Sequence, residues 1–415
     1  MNRRELFQLA AAGTTLAMQK AIAAVSDRTP EQIATDEDFW AQIRNEFTID
    51  RSVLNLNNGY MSPSPRVVQE AQRRFNDATN MGPYHTMVKQ LYPQVETSRR
   101  RVAEAAGCDP EEIAITRNSS EALEIAQFGV DLKRGDEVLT TNQDYGRMLT
   151  TYRQRERREG IVLKEISFPV PSPGMDELVK RFEQAITPRT KLLHCCHITN
   201  LTGQIFPVKR IAALAHAHGI PLIVDGAHAF NHFPFKISDL DCDYYGVSLH
   251  KWTYAPCGTG FLYVRKSRIK DTWALMASSD RQDNDIRKFE EIGTHPASTF
   301  NAIPEAIAFN DSIGIARKGA RLRYLRDRWG NRLSQNPKVR LLHSMELDQS
   351  AGIGNISFQG RDSRQVSEEL QTKYSIFTAP INHKEYNGIR ITPNIYTKVS
   401  EIDYFSSAVE KILKG

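Results

Sequence analysis

Cysteine is scarce: the chain of 415 residues has five, Cys108, Cys195, Cys196, Cys242 and Cys257. The number is odd, and no pair has the spacing of a zinc site or a C-x-x-C redox motif. The sequence therefore offers neither a disulfide framework nor a cysteine-based metal site. Cys195 and Cys196 sit together in the apolar run KLLHCCHI, where a buried thiol is the usual occupant. Long apolar runs are missing too. Past the N-terminus no stretch approaches the ~20 residues needed to span a bilayer, so no stable membrane insertion is expected. No G-x-G-x-x-G follows an early strand, which leaves a nicotinamide-dependent oxidoreductase without its phosphate-binding turn. Basic charge is neither dense nor interleaved with aromatics: the net charge is +5 and the pI about 8.8. The one basic cluster, Arg153 to Arg158, alternates with Glu156 and Glu159 as a solvated helix face does. Nucleic acid is not an expected partner.

What is present is an ordinary globular composition, 40% hydrophobic and 25% charged, long enough for a large domain and a smaller one. The N-terminus, MNRRELFQLAAAGTTLAMQKAIAA, carries Arg3-Arg4, a short apolar run from Leu9 to Met18 and a small-residue site at Ala21-Ile22-Ala23. Over residues 1–24 this resembles a twin-arginine export signal. Export to the periplasm is the expectation, with an amphipathic N-terminal helix of a cytoplasmic protein as the alternative. Residues 25–60 then read as an N-terminal segment, with an amphipathic helix over Asp36 to Asp50. Val67 to Gly107 is helical with a break at Gly82-Pro83.

From there short apolar strands alternate with amphipathic helices. The strands are Ile113–Thr116, Glu137–Thr140, Val162–Ile166, Lys191–Cys196, Pro221–Val224, Tyr244–Ser248 and Gly260–Val264. The helices are Glu121–Phe128, Met148–Glu159, Met175–Ala185 and Val208–His218. Such alternation argues for an α/β architecture, a mostly parallel sheet with helices on both faces. The large domain is read as 61–303. Beyond it, 304–415 reads as a smaller α+β domain. It begins with one long helix from Pro304 to Leu333. Short strands follow in LLHS, GNISFQG, SIFTAP and GIRITPNIY, with helices over Ser363–Lys373 and Glu401–Leu413.

In open α/β sheets ligands bind beyond the carboxyl ends of the strands, and the polar residues of interest follow the strands at once. IPLIVDGAHAF ends a strand with Asp225 and continues to His228. SLHKWTYAPCGTG places Lys251 just past another strand, beside Ser248 and His250. A lysine in a desolvated pocket loses proton affinity and becomes a Schiff-base nucleophile. Singly, Asp225 reads equally well as a turn residue and Lys251 as an exposed loop lysine.

Together, Asp-x-Ala-His and Ser-x-His-Lys resemble the pyridoxal-5′-phosphate (PLP) signature of class V aminotransferases, and further matching pieces occur in family order over residues 50–405. NNGYMSPSP, NQDYG and IRITPNIY resemble the isopenicillin N epimerase-like branch. The resemblance implies the fold type I PLP-dependent transferase architecture, with PLP as cofactor. It implies that Asp225 pairs with the pyridinium nitrogen and that Lys251 holds the cofactor as a Schiff base and moves a proton at Cα. Ser248 and His250 match residues beside the phosphate. Asn118, Ser119 and Ser120, at a helix start, make a phosphate cradle, or alternatively an ordinary N-cap with Glu121 in the first turn.

Tyr145 matches the ring packed on the cofactor face, with a core tyrosine as the alternative. Asn200 matches the residue on the phenolic oxygen. His228 lies near that oxygen or is structural. Thr294, in Gly293-Thr294, matches the residue that reaches the phosphate of a neighbouring subunit, which implies a homodimer with shared sites. Arg390 matches the clamp for the substrate carboxylate, or pairs with a surface acid; Asn58 and Tyr60 are further substrate-side candidates. Persulfide-forming desulfurases use a mobile-loop cysteine in the C-terminal half, and no cysteine follows Cys257. The expected chemistry is therefore of aminotransferase or epimerase type at Cα of an amino-acid-like substrate. A β-lyase without a catalytic cysteine is the alternative, and a non-catalytic binding protein on the same fold is the rival from another class. Epimerisation needs a second proton donor, for which Tyr60, Tyr84 and His85 are candidates.

Overall fold

The computed structural model describes residues 14–414. Its centre is a seven-stranded sheet. Numbering from a short strand β1 (Leu54–Asn55), the sheet contains β2 (Ile113–Thr116), β3 (Glu137–Thr141), β4 (Val162–Ile166), β5 (Thr190–Cys196), β6 (Leu222–Asp225), β7 (Tyr244–Ser248) and β8 (Gly260–Val264). The order is β2-β8-β7-β6-β5-β3-β4, with β8 alone running against its neighbours. All seven strands read from the sequence are present. Alternate residues feed the two faces, so Leu193 and Val224 enter one core while Leu192 and Ile223 enter the other. Edge strand β4 instead carries Lys164 and Glu165, charges that discourage further pairing.

The smaller domain is a four-stranded antiparallel sheet, order β12-β13-β10-β9, made of β9 (Val339–Leu341), β10 (Gly354–Phe358), β12 (Ala379–His383) and β13 (Tyr386–Ile391). The N-terminal segment is not separate from it. Strand β1 pairs in parallel with β11 (Ile376–Phe377), and Leu56 lies in the small-domain core. Arg44 forks onto Glu401 with two bonds of 2.9 Å. The buried Arg321 donates to Ala34 O and Thr397 O.

Three helical expectations change. The long helix of 304–333 is two, Ile303–Ile313 and Ile315–Leu333, because Gly314 between them takes φ +88°, which no continuous right-handed helix contains. The helix of 36–50 stops at Arg44, and Phe47 turns inward against Tyr254, Phe309 and Tyr396. The break at Gly82-Pro83 is a widened π-helical stretch, Pro83–Leu91, joining two α-helices.

Arg3-Arg4 lies outside the described residues, but the end of the leader does not. Leu16–Ala24 is a helix capped by Thr15, whose hydroxyl accepts from Met18 N–H at 3.3 Å. Met18, Ile22 and Val25 are buried in one cluster with Trp40 and Ile43. The Ala21-Ile22-Ala23 site therefore lies inside a packed helix. Burying one such side chain contributes about 1.5–3 kcal/mol, reduced by residual burial in the unfolded chain. A chain beginning at Val25 is expected to be about 2–4 kcal/mol less stable than one beginning at residue 14. Equal denaturation midpoints would show that the helix adds nothing.

Candidate active site

The carboxyl ends of β2, β3, β5, β6 and β7 meet on one edge of the large sheet, and the loops leaving them carry the candidate residues. Two glycines make the approach possible. A Cβ at Gly226 would meet the Tyr245 ring at 1.9 Å, and one at Gly260 would lie 2.5 Å from Val247 O and 2.7 Å from Asn118 Cα.

Lys251 stands half-buried past β7, its Nζ 3.3 Å from His228 Nε2. Burial lowers its pKa to about 8, against the opposing attraction of Asp225. His228 is fixed from its other side: the indole Nε1 of Trp252 lies 3.4 Å from His228 Nδ1. An indole N–H only donates, so Nδ1 must accept and the imidazole proton sits on Nε2. His228 is also held neutral, by burial first and by the charges of Lys251 and Arg390 second. The His228 Nε2–H thus faces the Lys251 nitrogen as a donor, an arrangement that suits a neutral amine.

Asp225 ends β6, buried, and accepts from Ala227 N–H at 2.9 Å. Burial pushes its carboxyl above the ordinary range, with Lys251 acting against the shift. A cation placed against it would restore the carboxylate.

Ser248 Oγ accepts from Ser119 N–H at 2.9 Å and donates to Ser119 Oγ at 2.8 Å. Asn118 Oδ1 caps the helix by accepting from Glu121 N–H at 3.0 Å. The capping role is thus realised, while the first-turn N–H of Ser120 has no intrahelical acceptor. Beside Lys251, burial and the lysine charge lower His250 to about 4.

Arg390, on β13, brings the small domain to the same edge. Nη1 donates to Asn200 O at 2.9 Å and Nη2 to Asn57 Oδ1 at 2.7 Å. It is buried, and burial lowers it to about 10; among the described residues no carboxylate pairs with it. Surface pairing is therefore not its role.

The turn at 57–60 corrects one expectation. Asn58 is fully buried and its amide is occupied: Nδ2 donates to Asn55 O and Thr392 O, and Oδ1 accepts from Tyr396 OH. The neighbouring Asn57 is the residue that meets Arg390. Tyr60 is 74% exposed and Tyr145 39% exposed, so neither is a core tyrosine. Thr294 stands on an exposed loop after Gly293 (φ +71°) and bonds to none of the cluster among the described residues. Tyr84 is exposed, and His85 Nε2 lies 3.0 Å from Gln90 Nε2 on the surface. Asn57 belongs to the Asn57-Asn58-Gly59-Tyr60 turn that the sequence offers as a substrate-side candidate, whereas Trp252 was not singled out by sequence, although it adjoins Lys251.

Three buried polar atoms of this edge, Asn200 Oδ1, His250 Nδ1 and Arg390 Nε, have no hydrogen-bond partner among the described residues. Each such atom costs about 1–3 kcal/mol, so their convergence marks a place for a polar ligand. PLP fits: a phosphate for Ser120 and its neighbours, a pyridinium for Asp225, a phenolic oxygen for Asn200 and an aldehyde for Lys251. A cavity of about 1200 Å³ lies elsewhere, at the opposite strand ends beside Asp136, Lys191 and Pro221.

The family described as aminotransferase class-V matches residues 53–380. This chain belongs to the class V aminotransferase family. It is 28% identical over 392 residues to an isopenicillin N epimerase of Streptomyces clavuligerus, covering 90% of this chain and 98% of that protein. It is 26% identical to a putative L-cysteine desulfhydrase of Oryza sativa subsp. japonica, covering 90% and 87%. In fold it is similar to a cysteine desulfurase from Thermococcus onnurineus NA1, with TM-score 0.79 and 22% identity over 92% of this chain and 98% of that one. A C-DES mutant with glycine covalently linked to its PLP cofactor is similar to the same degree, TM-score 0.79 and 22% identity over 88% and 98%. The architecture is that of the fold type I PLP-dependent enzymes, and PLP is the cofactor.

A lysine that is to hold the cofactor aldehyde would have to be neutral to attack it, and Lys251 is the residue placed to do so. Uptake of PLP by the apo-protein is therefore expected to quicken about tenfold per pH unit below the lysine's midpoint and level off above it, with the bend near pH 8. A rate that is flat across that range, followed by absorbance, would contradict the environment described for Lys251.

Proposed function

We propose that this protein acts at the Cα and amino group of an amino acid or amino-acid derivative, as an aminotransferase- or epimerase-type enzyme. The observation that carries the reading is Arg390, a buried cation with no carboxylate partner among the described residues, on the edge that also holds Lys251. An unpaired buried charge is costly, and a substrate carboxylate seated on the guanidinium relieves it. Bound PLP supplies an electron sink for the bond broken at Cα. Lys251 then holds or returns the Cα proton at Nζ, and His228 Nε2–H steadies that nitrogen in its neutral form.

The second reading is a β-lyase that releases sulfur without a protein thiol. Relatives named for cysteine desulfurisation support it, while the domain from residue 304 onward has no cysteine to carry persulfide. Incubating loaded protein with L- and D-amino acids in deuterated water separates the two. Cα deuteration with enantiomer exchange, or amino transfer to a keto acid, is expected, with weaker activity on carboxamide analogues. Sulfide release without either would move the lyase reading to the front. No change in any amine offered would sink both and favour a binding protein.

A homodimer belongs to the same proposal, supported by the exposed Gly293-Thr294 loop, and sedimentation at monomer mass would remove it. Periplasmic export rests on the leader sequence alone; finding the full-length chain only in the cytoplasm would remove that part.

A further inference from the structure

We infer that Lys318 is a positioning residue for Lys251, acting through the backbone of Trp252 and the contact of the Trp252 indole with His228. The inference rests on Lys251 being the cofactor-bearing lysine. Lys318 lies in the helix Ile315–Leu333, fully buried, far in sequence from every motif of the site. Its Nζ donates to Trp252 O and, at 2.7 Å, to Asn310 Oδ1. It also sits 3.8 Å from the centroid of the Tyr254 ring. No carboxylate pairs with it among the described residues, and burial alone drives its pKa well down.

A buried amine in such a place is expensive, and a methionine would fill the same space without the cost. What the amine adds is directional. The stretch 251–259 between β7 and β8 has no regular structure, and Tyr254 within it takes φ +63°, a backbone state that aromatic residues rarely hold. Lys318 and Asn310 clamp the carbonyls just before this strained point: Asn310 Nδ2 donates to Thr253 O at 2.7 Å. The Trp252 ring is thereby set in a stack on His232, centroids 3.8 Å apart and planes at 21°. In that pose its N–H reaches His228 Nδ1 and leaves the imidazole proton on Nε2, facing Lys251. Without the clamp, the indole is free to leave His228, and the imidazole is free to exchange its tautomer.

The test compares Lys318→Met and Trp252→Phe with the parent protein, all loaded with PLP. Visible absorbance is titrated against pH, and kcat and KM are measured on whichever substrate the screen identifies. A His228 Nε2–H donor favours the unprotonated Lys251 nitrogen, so its loss should raise the titration midpoint, by about one pH unit. The other groups that bear on this nitrogen, Asp225, Arg390, Cys196 and the neighbouring His250, are unchanged in both variants. In Lys318→Met kcat is expected to fall about tenfold or more, with KM within about twofold. Trp252→Phe keeps the stack and loses only the donor, so it should shift the midpoint in the same direction. If Lys318→Met does not fold, the phenylalanine variant decides. Midpoints within about 0.2 unit of the parent would overturn the inference. A parent protein with no visible band would overturn the Lys251 reading itself, a result distinct from an unshifted band.

Discussion

A Lys251→Ala protein is expected to lose turnover by on the order of 10⁴-fold while remaining folded. In the proposed function the side chain does two jobs, carrying the cofactor and moving the Cα proton, and no neighbour described around it is suited to take over either. His228 is held neutral, with its Nδ1 engaged by Trp252. Lys318 is fully buried against Trp252. Structurally the change is mild. Among the described residues Nζ lies within hydrogen-bond distance of His228 alone, and burial already disfavours its charged form. Thermal unfolding of the apo-variant should therefore match or exceed that of the parent. Added small primary amines should restore part of the proton transfer. Retention of more than about a tenth of parental activity would show that another base acts at Cα.

Asp225→Asn is expected to lower kcat by about 10²–10³-fold with little change in substrate KM. Asparagine keeps the acceptor for Ala227 N–H and removes only the charge proposed to pair with the cofactor ring. Stability moves the other way. In the apo-protein burial holds the carboxyl above its unfolded value. A group with a raised folded pKa stabilises the fold at low pH and loses that contribution as pH rises past the unfolded value. At neutral pH Asp225 is therefore a burden on the apo-fold, and the asparagine variant should melt at the same or a higher temperature. A fall in apo-stability together with unchanged kcat would mean that Asp225 is a structural turn residue.

Much of this site was legible because parallel strands buried on both faces read as short apolar runs, and the active edge follows their carboxyl ends. Asp225, Ser248 and Lys251 are placed by that rule alone. Proximity in sequence failed where a turn decides which neighbour points inward. Asn57 meets Arg390, whereas Asn58 spends its amide on Asn55, Thr392 and Tyr396. Gly314 read as one more helical residue because its sequence does not reveal its left-handed φ. Lys318 was invisible for a different reason. It lies 66 residues from Trp252, on a helix so rich in basic residues that one more lysine does not stand out. The end of the leader read as a detachable segment, since the pocket that buries Met18 and Ile22 is built by residues further along the chain, Trp40 and Ile43 among them.

The central claim is that Lys251 carries PLP, and reductive trapping tests it most directly. Loaded protein is reduced with borohydride, digested and mapped by mass spectrometry. One phosphopyridoxyl adduct per chain is expected, on Lys251, and none in Lys251→Ala. An adduct on a different lysine, or protein that takes up no PLP, would contradict it.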